Sequence, residues 1–146
     1  MKKSRVIYLC LTVLTLGFIW GNSAMPGDIS GEISGSLFEV LEPMLSSFGD
    51  KGEFILRKIG HFSEFTMLGF LLSGLTRPGK ITLSWPPVPL FLGLACACLD
   101  ETIQIFSPGR FSTLTDVWID FSGVCLGLLL SLAVYALINR HANTPD

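Results

Sequence analysis

Leu99–Asp120, LDETIQIFSPGRFSTLTDVWID, is the stretch on which the fold turns. An apolar run of twelve residues, Val88–Leu99, leads into it, and a longer one, Phe121–Ile138, leads out. A helix that crosses a bilayer needs about 20 residues at ~1.5 Å each. The first run is too short by itself, so its helix must continue through Asp100, Glu101 and Gln104. The helix after it must start early enough to include Asp116 and Asp120. Charged groups at membrane depth are costly and are functional-site candidates by default. Arg110, at the Pro108-Gly109 turn between the two helices, is placed to meet an anionic group through the paired donors of its guanidinium.

The totals agree with a membrane setting. The chain of 146 residues fits a single domain, 1–146, and is 49% hydrophobic and 15% charged, with mean hydropathy +0.57. A soluble domain is usually about 25% charged. The net charge of -2, with no basic run beyond the first five residues, speaks against nucleic acid as a partner. The four cysteines (Cys10, Cys96, Cys98, Cys125) all sit in apolar runs without a CxxC pair, and read as small buried side chains.

These features predict an all-α polytopic membrane protein with spans at 4–22, 58–75, 83–106 and 115–138. The first span follows a basic start; a cleaved signal peptide is the alternative, with only Asn22-Ser23-Ala24 as a weak cleavage site. The Gly- and Ser-rich segment 21–57 reads as an outer loop. Within it, Ser36–Glu39 has capping-box spacing and opens a short interfacial helix, which Pro43 limits. Pro86, Pro87 and Pro89 fall at the start of the third span, where missing N–H groups cost least. Thr113–Asp116 resembles a capping box for the fourth. With both termini cytoplasmic, six of the ten Lys and Arg residues lie inside, a modest positive-inside bias. Trp85 and Trp118 then fall near opposite interfaces as belt residues. Gly123-xxx-Gly127, Gly69-xxx-Ser73 and Gly93-xxx-Ala97 permit close helix contact.

In this topology the polar groups gather at the outer end. Arg57, His61 and Glu64 lie at i, i+4 and i+7 on one helix face, beside Lys58. Asp100 and Gln104 are four apart, Glu101 and Gln104 three apart, and Asp116 and Asp120 four apart. Each helix can turn its stripe toward a shared centre, where opposite charges offset desolvation. His61 suits proton transfer, with Glu64 one turn away to orient it. His61 and Glu64 with Asp100, Glu101 or Asp116 form only a weak divalent-cation signature, so no metal ligand or cofactor is assigned. The bland alternative is polar glue that fixes helix order, with His61 a satisfied histidine at a helix end.

Arg57-Lys58-x-x-His61-Phe62-x-Glu64-Phe65 with Gly69, Asp100-Glu101-x-x-Gln104-x-Phe106-x-Pro108-Gly109-Arg110, and Asp116-x-x-x-Asp120-x-x-Gly123-x-x-x-Gly127 together resemble the VanZ-like family. The family pattern usually has Tyr where Phe65 stands and Ala where Gly60 stands. The resemblance implies a small protein of the bacterial cytoplasmic membrane. It also implies a link to reduced susceptibility to teicoplanin and related lipoglycopeptides.

Three functions follow as expectations. One is a pocket in which Arg57, Lys58, Gln104, Arg110, Asp116 and Asp120 bind an envelope lipid, a lipid-linked peptidoglycan precursor or the antibiotic. Another is an enzyme using His61, Glu64, Asp100 and Glu101 for acid/base chemistry on a lipid-linked phosphate, held by Arg110. The third is a scaffold for envelope proteins.

Overall fold

The computed structural model describes residues 3–33, 35–36, 52–78 and 85–142. It is all-helical among these residues, with four long helices: α1 Lys3–Ala24, α2 Gly52–Thr76, α3 Pro87–Ile105 and α4 Leu114–Ala142. The anticipated interfacial helix after Ser36 lies outside the described residues. Residues 27–33, expected as loop, are helical. Pro26 supplies the carbonyl that receives the Ser30 N–H at 3.0 Å, starting a helical turn where Gly and Ser composition alone argued for none.

The helix bounds differ from the expected spans in instructive ways. Helix α2 begins at Gly52 rather than near Lys58, so Phe54 and Arg57 ride on the helix itself. Helix α3 begins at Pro87, with proline at its first positions, where the ring needs no N–H partner. At the start of α4, Thr113 Oγ1 accepts the Asp116 N–H at 3.3 Å, which is one half of the capping box. The other half is not made by Asp116. The Thr113 N–H donates instead to Glu101 Oε2 on α3, at 2.9 Å.

The four helices run alternately up and down. At one end, Arg5 of α1 donates to the Arg77 carbonyl just past α2 (3.3 Å), and the Arg77 guanidinium lies 4.5 Å from the ring centroid of Tyr135 in α4. At the other end, the close of α1 meets the close of α3: Ser107 Oγ donates to the Ser23 carbonyl at 2.8 Å, and Gly27 N–H to the Pro108 carbonyl at 2.8 Å. Gly27 and Gly109 pack backbone to backbone there, and Gly109 takes a left-handed φ of +73° that an L side chain disfavours.

Helix α2 lies among the other three, and its tightest partner is α4. Gly123 and Gly127 of α4 face the backbone of Phe62, Thr66 and Phe70 on α2, and Gly69 of α2 faces the backbone of Val124. Val124 is fully buried, wedged also against Gly93 of α3. Phe65, Leu68, Leu72, Ile19, Ala97 and Val117 complete the core around it. Small residues thus let three helices approach closely, as packing in lipid requires.

The outer surface is apolar. Val6, Ile7, Val13, Leu14 and Phe18 of α1, Val88 and Phe91 of α3, and Leu129, Leu137 and Ile138 of α4 are all exposed. A monomeric soluble protein rarely exposes so continuous an apolar surface. Among the described residues, three helices are long and apolar enough to cross a membrane: Lys3–Ala24, Pro87–Ile105 and Leu114–Arg140. Helix α2, of 25 residues, is long enough, but Arg57, Lys58, His61 and Glu64 interrupt its apolar run. Trp118 is exposed, as a belt residue should be, and packs edge-on against Phe121. Trp85 differs: it is buried, and its indole N–H donates to Thr76 Oγ1 at 3.3 Å, plugging the opposite end of the bundle.

Candidate functional site

The up-down arrangement brings four helix ends together: the close of α1, the start of α2, the close of α3 and the start of α4. A cavity of about 490 Å³ opens at this end. Its polar wall includes Arg57, Lys58, His61, Glu101, Gln104, Asp116 and Asp120, and its apolar rim includes Phe54, Phe111 and Ile119. Phe54 is 61% exposed and Phe111 88% exposed, so the rim continues onto the apolar outer surface.

Each predicted side chain has a definite place. Lys58 Nζ pairs with Asp116 Oδ1 across the α2–α4 interface. Glu101 is buried, and its Oε2 accepts from Ser112 Oγ (2.6 Å) and the Thr113 N–H (2.9 Å), so it caps α4 from α3. Gln104 Nε2 donates to Asp100 Oδ2 at 3.0 Å and to Ser23 Oγ at 3.4 Å. Arg57 lines the cavity half-buried, and no carboxylate among the described residues lies within ion-pair distance of it.

His61 does not turn to Glu64. Although three apart on one helix, the two point at different neighbours. Glu64 Oε1 accepts from Asn22 Nδ2 of α1 at 3.3 Å. His61 Nδ1 faces Asp100 Oδ2 of α3 at 3.7 Å and Asp120 Oδ1 of α4 at 3.8 Å. Spacing along one helix fixes which residues share a face, but not which neighbouring helix each one meets.

Arg110 also has a different position from the one expected. It is not in the cavity wall. Its Nη2 donates to the Asn22 carbonyl at 2.7 Å and its Nε to the Met25 carbonyl at 3.3 Å. Burial, then the neighbouring charge of Arg57, pulls its pKa below the ordinary arginine value. This places a cation on the last carbonyls of α1, the end of a helix that favours one.

Asn22, Ser23, Ser112 and Thr113 also belong to this polar end, a role the sequence does not assign to them. The expected span 4–22 stops short of Ser23, whereas the helix runs to Ala24 and carries both residues. Phe54 and Phe111 were likewise missed. The signal for the first pair was available: two small polar residues close an otherwise apolar helix.

Residues 6–137 match the VanZ/LLP1 family, which is most of the chain. The chain belongs to that family, and its apolar helices are those of a membrane protein. No curated protein and no solved structure matches it.

Proposed function

We propose that all four helices cross the bacterial cytoplasmic membrane with both termini inside, and that the cavity binds the anionic headgroup of an envelope lipid at the outer surface. Helix α2 supports the four-span reading because it packs among α1, α3 and α4 and must share their depth. The orientation rests on charge. Lys3, Arg5, Arg77 and Arg140 sit at the end of the bundle opposite the cavity, where no described acidic residue lies. A basic end of that kind belongs on the cytoplasmic face.

The observation that carries the headgroup reading is Arg57. It is a half-buried guanidinium in the cavity wall without a carboxylate partner among the described residues, beside an exposed apolar rim. Guanidinium matches phosphate and carboxylate through paired donors. A polar wall under apolar lips suits an amphiphile, head inward and chain outward along Phe54 and Phe111. Lipid-linked peptidoglycan precursors and lipoglycopeptides share that chemistry, and holding either would lower susceptibility to teicoplanin-type antibiotics.

Lipid mass spectrometry on the purified chain tests this. One phosphate-bearing lipid class should copurify with the wild type and be depleted in Arg57→Ala at equal protein yield. Identical lipid profiles would sink the reading. In cells, Arg57→Ala should abolish any reduction in teicoplanin susceptibility that the wild type confers, while membrane levels stay unchanged.

A second reading has its own observation. His61, in the cavity wall and facing two buried carboxylates, could exchange a proton with a bound phosphate ester as general acid or base. His61→Gln should then eliminate turnover of a lipid-linked substrate without eliminating its copurification. A pure binding pocket gives binding without turnover in the wild type as well.

A further inference from the structure

The buried end of α2, α3 and α4 contains more acceptors than donors. Seven buried side-chain polar atoms lack a hydrogen-bond partner among the described residues, and five are carboxylate oxygens of Glu64, Asp100, Glu101 and Asp120. Asp120 is the extreme case: it is 1% exposed, and neither of its oxygens has a partner. Buried polar groups are almost always satisfied, and an orphan of this kind points to an unseen ion or water.

Charge bookkeeping points the same way. Glu64, Asp100, Glu101, Asp116 and Asp120 are five carboxylates, and Arg57, Lys58 and Arg110 are three cations. Two negative charges are left over, the charge that one divalent cation neutralises. Lys58 is already paired with Asp116, and Arg110 is directed at backbone carbonyls, so neither reaches Asp120 to relieve it.

The geometry narrows the place. His61 Nδ1, an oxygen of Asp100 and an oxygen of Asp120 all lie within 4.8 Å of one another. The two His61 separations, 3.7 and 3.8 Å, are too long for hydrogen bonds. Donors bound to one metal at about 2.0–2.2 Å stand roughly 3–3.5 Å apart, so a contraction of up to about 1–2 Å would close this set around an ion. Gln104 donates to Asp100 Oδ2, the oxygen that faces His61, and so fixes the carboxylate while its Oδ1 stays unpartnered among the described residues. His61 and Asp120 both border the cavity, which provides a route in and an open coordination position.

We propose that His61, Asp100 and Asp120 form a divalent-cation site at the floor of the cavity. One imidazole with two carboxylates suits a first-row ion, Mn²⁺ or Zn²⁺, better than the all-oxygen shell that Mg²⁺ or Ca²⁺ prefers. The ligands come one from each of three helices, so the ion also ties α2, α3 and α4 together. The proposal does not depend on the headgroup reading, because the site is complete without a lipid.

The test uses the full-length chain in detergent, stripped with EDTA and titrated with MnCl2 and with ZnCl2. The wild type should bind about one ion per chain and melt at a higher temperature when loaded. Asp120→Asn should bind at least about tenfold more weakly, whereas Glu32→Gln, which alters an exposed carboxylate outside the cavity wall, should bind as the wild type does. Pulsed electron paramagnetic resonance of the Mn²⁺-loaded wild type should show coupling to one imidazole nitrogen, a reading that needs no variant to fold. Failure of the wild type to bind either ion below millimolar concentration overturns the proposal. So does unchanged binding by Asp120→Asn, or a bound Mn²⁺ without nitrogen coupling.

Discussion

Glu101 shows how one side chain at this end serves more than one element. Its Oε2 receives both the Ser112 hydroxyl and the Thr113 N–H, so the start of α4 is held by the end of α3. Replacing Thr113 with Val removes the cap on Asp116 and should cost about 1 kcal/mol, read as a lower melting temperature. The Lys58–Asp116 pair sets a different expectation. Both partners are largely buried, so removing one leaves an uncompensated charge. Lys58→Met should destabilise the chain more than the double change Lys58→Met with Asp116→Leu; equal losses in thermal melting would show that the pair is not coupled. His61, Asp100 and Asp120 were visible in the sequence as polar residues at membrane depth. Their mutual approach was not, because it depends on how three helices rotate about their own axes. The partners of Arg110 are hidden for a related reason: its turn is legible, but the carbonyls it covers lie more than 80 residues earlier.

At the scale of elements, the α2–α4 contact governs the packing. An added methyl at Gly123 would meet the Phe62 carbonyl at 2.6 Å, and at Gly127 it would press on the Thr66 carbonyl. Backbone cannot yield as a flexible side chain can. Gly123→Ala or Gly127→Ala should therefore destabilise the fold by about 1–3 kcal/mol, whereas Gly17→Ala, where nothing lies nearby, should melt like the wild type. The small-xxx-small spacings announced these contacts, because close approach in lipid has few other signatures. The four helices were legible from hydropathy and length. The helical turn at 27–33 was not, because it follows from a single proline and from docking onto the Pro108–Gly109 turn, neither of which composition records.

For the whole molecule, the separation of charge is the dominant property. Among the described residues, one end carries only basic residues and the carboxylates lie toward the other, with Arg57, Lys58 and Arg110 among them and an apolar belt between. Cysteine labelling in intact cells reads the orientation directly, in a background lacking the four native cysteines. Phe111→Cys, at the exposed cavity rim, should react with an impermeant reagent, and Arg140→Cys should react only after the membrane is opened. The reverse pattern would invert the topology. Ser107, although it lies in the same turn between α3 and α4, is buried and would be a poor reporter.

The charged stripe on α2 has a consequence for how the chain is made. Of the four long helices, the second to leave the ribosome, α2, is the one least able to enter lipid unaided, and the groove that admits it is completed by α4. If α2 crosses the membrane as proposed, it should enter only when α4 arrives with its glycine face and the partner for Lys58. A chain ended at residue 112 should leave α2 open to added protease, while the intact chain protects it. Protection of α2 in the shortened chain would mean that it inserts without its partner.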